Sequence, residues 1–353
     1  MFGGLVNKFS ILRRKISAIS LNDFVAVGHD ITPFITAYPW SSSGFGTKYS
    51  NPSTLPSSIG RNIAFTSTGT AVALAHNNSP SITAYPWSSS GFGTKYANPS
   101  TVPGGGGLGV AFTPNNNAIA VGHQESPYIS VYAWSSSGFG TKYANPATLP
   151  FYGFSVNFSP NGSYIAVGEI SSPYIRVYPW SSSTGFGSVY SNPSTLPTGF
   201  VLSIDFSPNS NQIAMGHNAS PSITAYPWSS SGFGTKYANP TTLPLSASYA
   251  TEFSSNGTVL IAGATSTPFI RAYTWSSSGF GTVYSNPAAL PSNATYGVVF
   301  TSDGNNVVTA NQNTPFINAY SWSSSTGFGT KYANPSTLPT GVGYAIGRGT
   351  ITS

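Results

Sequence analysis

Seven tryptophans, Trp40, Trp87, Trp134, Trp180, Trp228, Trp275 and Trp322, stand 47, 47, 46, 48, 47 and 47 residues apart, and the chain has no others. Each opens the same phrase: Ser-Ser-Ser, then Gly-Phe-Gly, a Tyr, an Asn-Pro and usually a Leu-Pro. The small drift in spacing has a visible source, because Thr184 is an extra residue ahead of Gly185-Phe186-Gly187. Self-similarity at this period marks an array of supersecondary units, none of which buries its apolar face alone. Seven units fill the chain. It is a repeat protein.

One unit shows what is repeated. In GFSVNFSPNGSYIAVGEISSPYIRVYPW, residues 153–180, the segment FSVNF alternates and is β-prone, and SPNG supplies an Asn-Gly hairpin turn. YIAVG reads as a second strand, SSP breaks it, and YIRVYPW is a third strand rich in β-branched and aromatic residues. After Trp180 and a Ser-rich loop, FGSVYSNP is short enough for a fourth, weaker strand. Four strands per repeat, with no helical periodicity, predict an all-β fold: a seven-bladed β-propeller of four-stranded antiparallel blades.

First strands fall near residues 61–66, 108–113, 154–158, 202–206, 248–253 and 296–300, which makes six. RKISAIS at the start and GVGYAIGRGTITS at the end compete for the seventh. VGYAI resembles LGVAF and YGVVF, so the C-terminal segment is expected to complete the blade begun by Phe24–His29. Residues 1–20 are then an arm and residues 21–353 the propeller.

The pattern FSPNGSYIAVG…IRVYPW resembles the WD40 repeat, with its strand, turn, strand and aromatic-rich third strand ending at Trp. The resemblance covers all seven units. Trp180 is followed by Ser rather than Asp, and no Gly-His pair opens each unit, so that family's internal hydrogen-bond network is not carried over. The repeated Ser-Ser-Ser-Gly-Phe-Gly phrase also looks like WD40-like arrays in structural proteins of tailed bacteriophages.

Charged residues are only 6% of the chain, against about 25% in ordinary domains. Residues 1–22 carry Lys8, Arg13, Arg14 and Lys15 without an acid, and the rest carries nine basic against seven acidic side chains. That dispersed balance is no footprint for nucleic acid, which needs clustered Lys and Arg. No apolar run is long enough to span a membrane as a helix. Arg13 and Arg14 follow the apolar residues of the N-terminus, the wrong order for a Sec-type signal peptide. Without cysteine there is neither a disulfide nor a thiolate metal site.

Three residue sets are candidates for function. The arm interleaves Lys8, Phe9, Arg13, Arg14 and Lys15 with apolar residues, as a segment docking onto a partner would. The repeated phrase offers Trp40, Phe45, Trp87, Phe92, Trp134, Phe139, Trp228 and Phe233 as loop contacts for a ligand. Eleven residues before each Trp stand His29, His76, His123, Glu169, His217, Ala264 and Asn311, which in a propeller form a polar ring on one face, broken by Ala264. Adjacent blades hold these positions too far apart to share a zinc at about 2.1 Å, so local strand-capping is the competing role. The lysines at 48, 95, 142, 236 and 331 are expected to protect outer edges from pairing.

The acids Asp23, Asp30, Glu125, Glu169, Asp205, Glu252 and Asp303 look scattered over different repeat positions, so no catalytic carboxylate pair is expected. No catalytic residue, metal or cofactor is called. The resulting expectation is a non-catalytic phage virion accessory protein, located on the particle and docked by its arm to other virion proteins. The alternative is an extracellular multivalent lectin or adhesin whose repeated loops bind host surface glycans by avidity. A lactonase-like enzyme ranks behind both.

Overall fold

The computed structural model describes residues 21–352. They form seven four-stranded antiparallel sheets arranged as the blades of a propeller, with no helix among the described residues. Blade 1 holds Leu21–His29, Ile35–Ser41 and Gly44–Phe45, and its innermost strand is Gly343–Thr352. The inner strands of blades 2 to 7 are Gly60–Phe65, Gly107–Phe112, Gly153–Phe158, Val201–Phe206, Ser248–Phe253 and Thr295–Phe300. The C-terminal strand therefore closes the ring, pairing with Leu21–His29 from Leu21↔Thr352 to His29↔Gly343. The seven-bladed reading and its C-terminal clasp both hold.

The repeated phrase is the packing code of the outer rim. Each Trp is buried at 3–7% exposure and meets the Phe of its own Gly-Phe-Gly edge-on, as in Trp134–Phe139 at 5.0 Å and 88°. It also meets the Tyr of the preceding blade's phrase, as in Tyr96–Trp134 at 5.2 Å, and Tyr332–Trp40 carries this contact across the closure. The same Tyr ring covers the first glycine of the next Gly-Phe-Gly. At Gly138 the backbone has φ +95° and an added Cβ would lie 2.8 Å from Tyr96, so only glycine fits. In the Ser-Ser-Ser loop, the first hydroxyl accepts the third residue's N–H, as in Ser137 N to Ser135 Oγ at 3.1 Å.

The Asn-Pro-Ser-Thr-Leu-Pro strap is tied down as well. The fully buried Tyr two residues before each Trp donates to a strap carbonyl in six blades, for example Tyr132 Oη to Thr101 O at 2.7 Å. Tyr320 Oη has no hydrogen-bond partner among the described residues. Tyr132→Phe is therefore expected to cost about 1 kcal/mol by urea denaturation, and Tyr320→Phe close to nothing. Equal losses from both would show that the strap bond contributes no stability.

The outer strand is shorter than expected. It has two residues in blades 1, 2, 4 and 5, and five in blades 3, 6 and 7. Several of its lysines turn to the Asn of the Asn-Pro pair, as Lys48 Nζ does to Asn51 Oδ1 at 2.5 Å.

Candidate active site in the central channel

The inner strand of each blade is a sheet edge, with backbone groups unpaired toward the ring's centre. These edges enclose a channel of about 880 Å³. Every inner strand also has one register shift after its first residue, at Arg61, Leu108, Phe154, Leu202, Tyr249, Tyr296 and Tyr344. A bulge re-aims side chains, and these seven residues all line the channel. On one side they make a stacked arc. Tyr249 meets Tyr296 at 5.1 Å, Tyr296 meets Tyr344 at 5.5 Å, and the Arg61 guanidinium lies 4.8 Å over the Tyr344 ring.

Three positions beyond the bulge, blades 4, 5 and 6 present Asn157, Asp205 and Glu252. Asn157 Nδ2 donates to Asp205 Oδ1 at 3.1 Å, and the Phe253 amide donates to Asp205 Oδ2 at 2.7 Å. The Phe300 amide donates to Glu252 Oε1 at 3.1 Å, and Arg348 Nε stands 3.7 Å from the same oxygen. Each carboxylate thus satisfies an edge amide of the next blade, which holds it in one orientation. Burial first, and the charge of Glu252 second, push Asp205 up to about 8. Burial pushes Glu252 up to about 7 against the pull of Arg348. Both groups straddle neutrality, and Glu252 keeps 17% of its side chain open to the channel. Burial thus raises both carboxyls toward neutrality, Asp205 further than Glu252, an arrangement suited to general acid–base chemistry.

Arg348 comes from the closing strand. It occupies the register position where the other six inner strands carry Phe65, Phe112, Phe158, Phe206, Phe253 and Phe300. Those phenylalanines each pack on the Trp of their own blade, as Phe112 does on Trp134 at 5.0 Å. Blade 1 gives up that contact for a cation in the channel.

The residues singled out from the sequence lie elsewhere. The arm residues Lys8, Phe9, Arg13, Arg14 and Lys15 are outside the described residues. Trp40, Trp87, Trp134 and Trp228 are buried, and Phe45, Phe92, Phe139 and Phe233 are half-buried against them, so they form the rim core rather than a set of ligand-facing loops.

The polar ring is likewise internal. His29, His76, His123, Glu169, His217 and Asn311 are all fully buried. His29 Nδ1 donates to Ile31 O at 2.7 Å, which leaves Nε2 of the neutral ring to accept the Thr36 hydroxyl at 2.9 Å. His76–Thr83, His123–Ser130 and His217–Thr224 repeat that hydroxyl bond at 2.9, 3.1 and 3.0 Å. Blade 4 swaps both partners for Glu169 and Arg176, 2.9 Å apart. In blade 7, Asn311 Nδ2 donates to Thr295 Oγ1 at 2.9 Å. Burial lowers all four histidines to about 4. Among the described residues, no group of three or more His, Asp or Glu is gathered to hold a metal.

Comparison with known proteins places the fold. No protein-family model matches the chain, and no curated protein does. Among solved structures, a Bacteroides fragilis protein described as a candidate 6-phosphogluconolactonase aligns with TM-score 0.74 at 13% identity, over 93% of this chain and 98% of its own. The periplasmic gluconolactonase of Pseudomonas aeruginosa aligns with TM-score 0.65 at 14% identity, over 91% and 99%. A Lactobacillus plantarum protein aligns with TM-score 0.69 at 15% identity, over 94% and 99%. At these identities the likeness establishes a shared seven-bladed propeller and nothing finer.

The functional expectation drawn from sequence is corrected by the neighbours' names taken together with the pair of carboxyls in the channel. The virion reading rested on analogy with other repeat arrays, the lectin reading on the make-up of the repeated loops, and the exclusion of an enzyme on acids that look scattered in the sequence. Three of the structures that share this fold over more than nine-tenths of the chain are named as lactonases or candidate lactonases, and none of these comparisons points to a phage particle or a glycan. The channel likewise holds the carboxylate pair that the acids were not expected to form.

Proposed function

We propose that this propeller hydrolyses a small lactone or cyclic ester in its central channel, with Asp205 as acid and Glu252 as base. The observation that carries the reading is the pair itself. Two carboxyls occupy one register position on adjacent inner strands, face one channel, and are both raised toward neutrality. The lactonase names of the structural neighbours agree with it.

Glu252, ionised beside Arg348, takes a proton from water while that water's oxygen bonds to the ester carbonyl carbon. The ring C–O bond breaks, and Asp205 gives its proton to the departing alkoxide oxygen. The product is a hydroxy acid. The pair returns to its starting state when the proton on Glu252 passes to Asp205. Arg348 steadies the base and supplies positive charge where the carbonyl oxygen becomes negative.

The test is lactone hydrolysis by the full chain and by two near-isosteric variants. Asp205→Asn and Glu252→Gln are each expected to lower kcat by about 10²- to 10⁴-fold, with circular dichroism unchanged. The wild-type rate is expected to show a bell-shaped pH profile. Variants that shift the melting temperature but hydrolyse normally would reduce the carboxylates to latches between blades and sink the reading.

A further inference from the structure

We infer that the channel's substrate is an uncharged lactone with one polar and one apolar side, and not a phosphorylated one; this rests on the hydrolase reading above. The walls of the channel differ in kind. At the register position that gives Asn157, Asp205 and Glu252 on blades 4, 5 and 6, blades 7, 1, 2 and 3 give Val299, Gly347, Ala64 and Ala111. Two residues earlier, Ser155 and Ser203 extend the polar wall, Ala250 interrupts it on blade 6, and Gly297 and Ala345 extend the apolar one. Asn62 is the exception on that side, and its Oδ1 is occupied by the Val110 amide at 3.2 Å. At these two register positions side-chain donors and acceptors fall along the edge formed by blades 4 to 6 and at Asn62, while Arg61, Thr66, Ser67, Arg348 and Thr350 add polar groups elsewhere in the channel. Along the other edge, affinity comes from apolar area removed from water.

The charges argue against a phosphate. Recognition of a phosphate dianion calls for several charge-assisted donors converging on it. Arg348 already stands beside Glu252, and Arg61 lies over the Tyr344 ring while its Nε donates to Asn77 Oδ1 at 2.9 Å. No lysine lines the channel among the described residues. The acidic pair meanwhile repels a second anion. The small side chains of the apolar wall leave room for an alkyl or aryl substituent, and the tyrosine arc at the mouth offers ring faces for it to slide past.

The experiment compares kcat/KM of the full chain on three δ-lactones: a neutral sugar lactone, the same lactone bearing a phosphate, and one bearing a short alkyl chain. The alkyl lactone is expected to lead the phosphorylated one by about tenfold or more. Ala64→Lys, which adds a cation to the apolar wall, is expected to narrow that ratio by about as much. Preference for the phosphorylated lactone, or a ratio indifferent to Ala64→Lys, overturns the inference and leaves the hydrolase standing. No turnover of any of the three overturns the hydrolase, and this inference with it.

Discussion

Stability is expected to peak between about pH 6 and 7 and to fall on both sides, because two sets of buried groups titrate in opposition. Unfolded histidines take protons near 6.5, whereas burial holds the four native ones to about 4. Their contribution is complete above 6.5 and is lost as pH falls through 4, roughly 3 kcal/mol each and on the order of 10 kcal/mol together. Glu169, Glu252 and Asp205 work the other way. Burial raises them to about 7, 7 and 8, so what they contribute is present at low pH and lost as pH rises through those values.

Between pH 5 and 6, therefore, four histidines pull against three carboxyls. Only about one net proton separates the folded and unfolded states, a slope of about 1.4 kcal/mol per pH unit. In the Asp205→Asn, Glu252→Gln double variant, three protons go uncompensated, and the slope steepens to roughly 4 kcal/mol per pH unit. The same variant is expected to be more stable than wild type at pH 8. Urea titrations across that range decide the matter, and parallel acid limbs in the two proteins would refute the opposition.

The fold was legible because its signal is redundant. Any of the seven Trp phrases predicts a blade, and the likeness of VGYAI to LGVAF points to the closing strand. The site was harder to see because it consists of departures from the repeat, each occurring once. Asp205 and Glu252 lie 47 residues apart, one full period, so a register of the acids against the tryptophans would have placed them side by side. Judged one at a time, they looked scattered.

Arg348 carries a similar signal, since it stands where six repeats have Phe. The aromatic loops misled for a different reason. A Ser- and Gly-rich phrase reads as exposed, yet its conformation serves to bring Trp, Phe and the neighbouring blade's Tyr together, which no single repeat reveals. The histidines show the value of pairs. His faces Thr or Ser in four blades, Glu faces Arg in a fifth, and that exchange across seven units marks an internal contact instead of a binding face.

Removing residues 343–353 is expected to abolish the cooperative thermal transition. The strand Gly343–Thr352 pairs along the whole of Leu21–His29, and Ala345 and Ile346 sit in the clusters that join blade 1 to both of its neighbours. Without it, two interblade faces and one strand edge meet water, a loss comparable with the entire stability of about 5–15 kcal/mol that a domain has. A truncated chain that melts like wild type would mean that the ring does not depend on its clasp. A synthetic peptide covering 341–353 is expected to restore the transition in trans, saturably. The same peptide with Arg348→Ala is expected to restore folding while leaving lactone hydrolysis impaired, because strand pairing uses its backbone and the channel uses the guanidinium. If both peptides restored activity equally, Arg348 would have no part in the chemistry. If neither restored folding, closure would require the covalent connection to blade 7 as well as the strand.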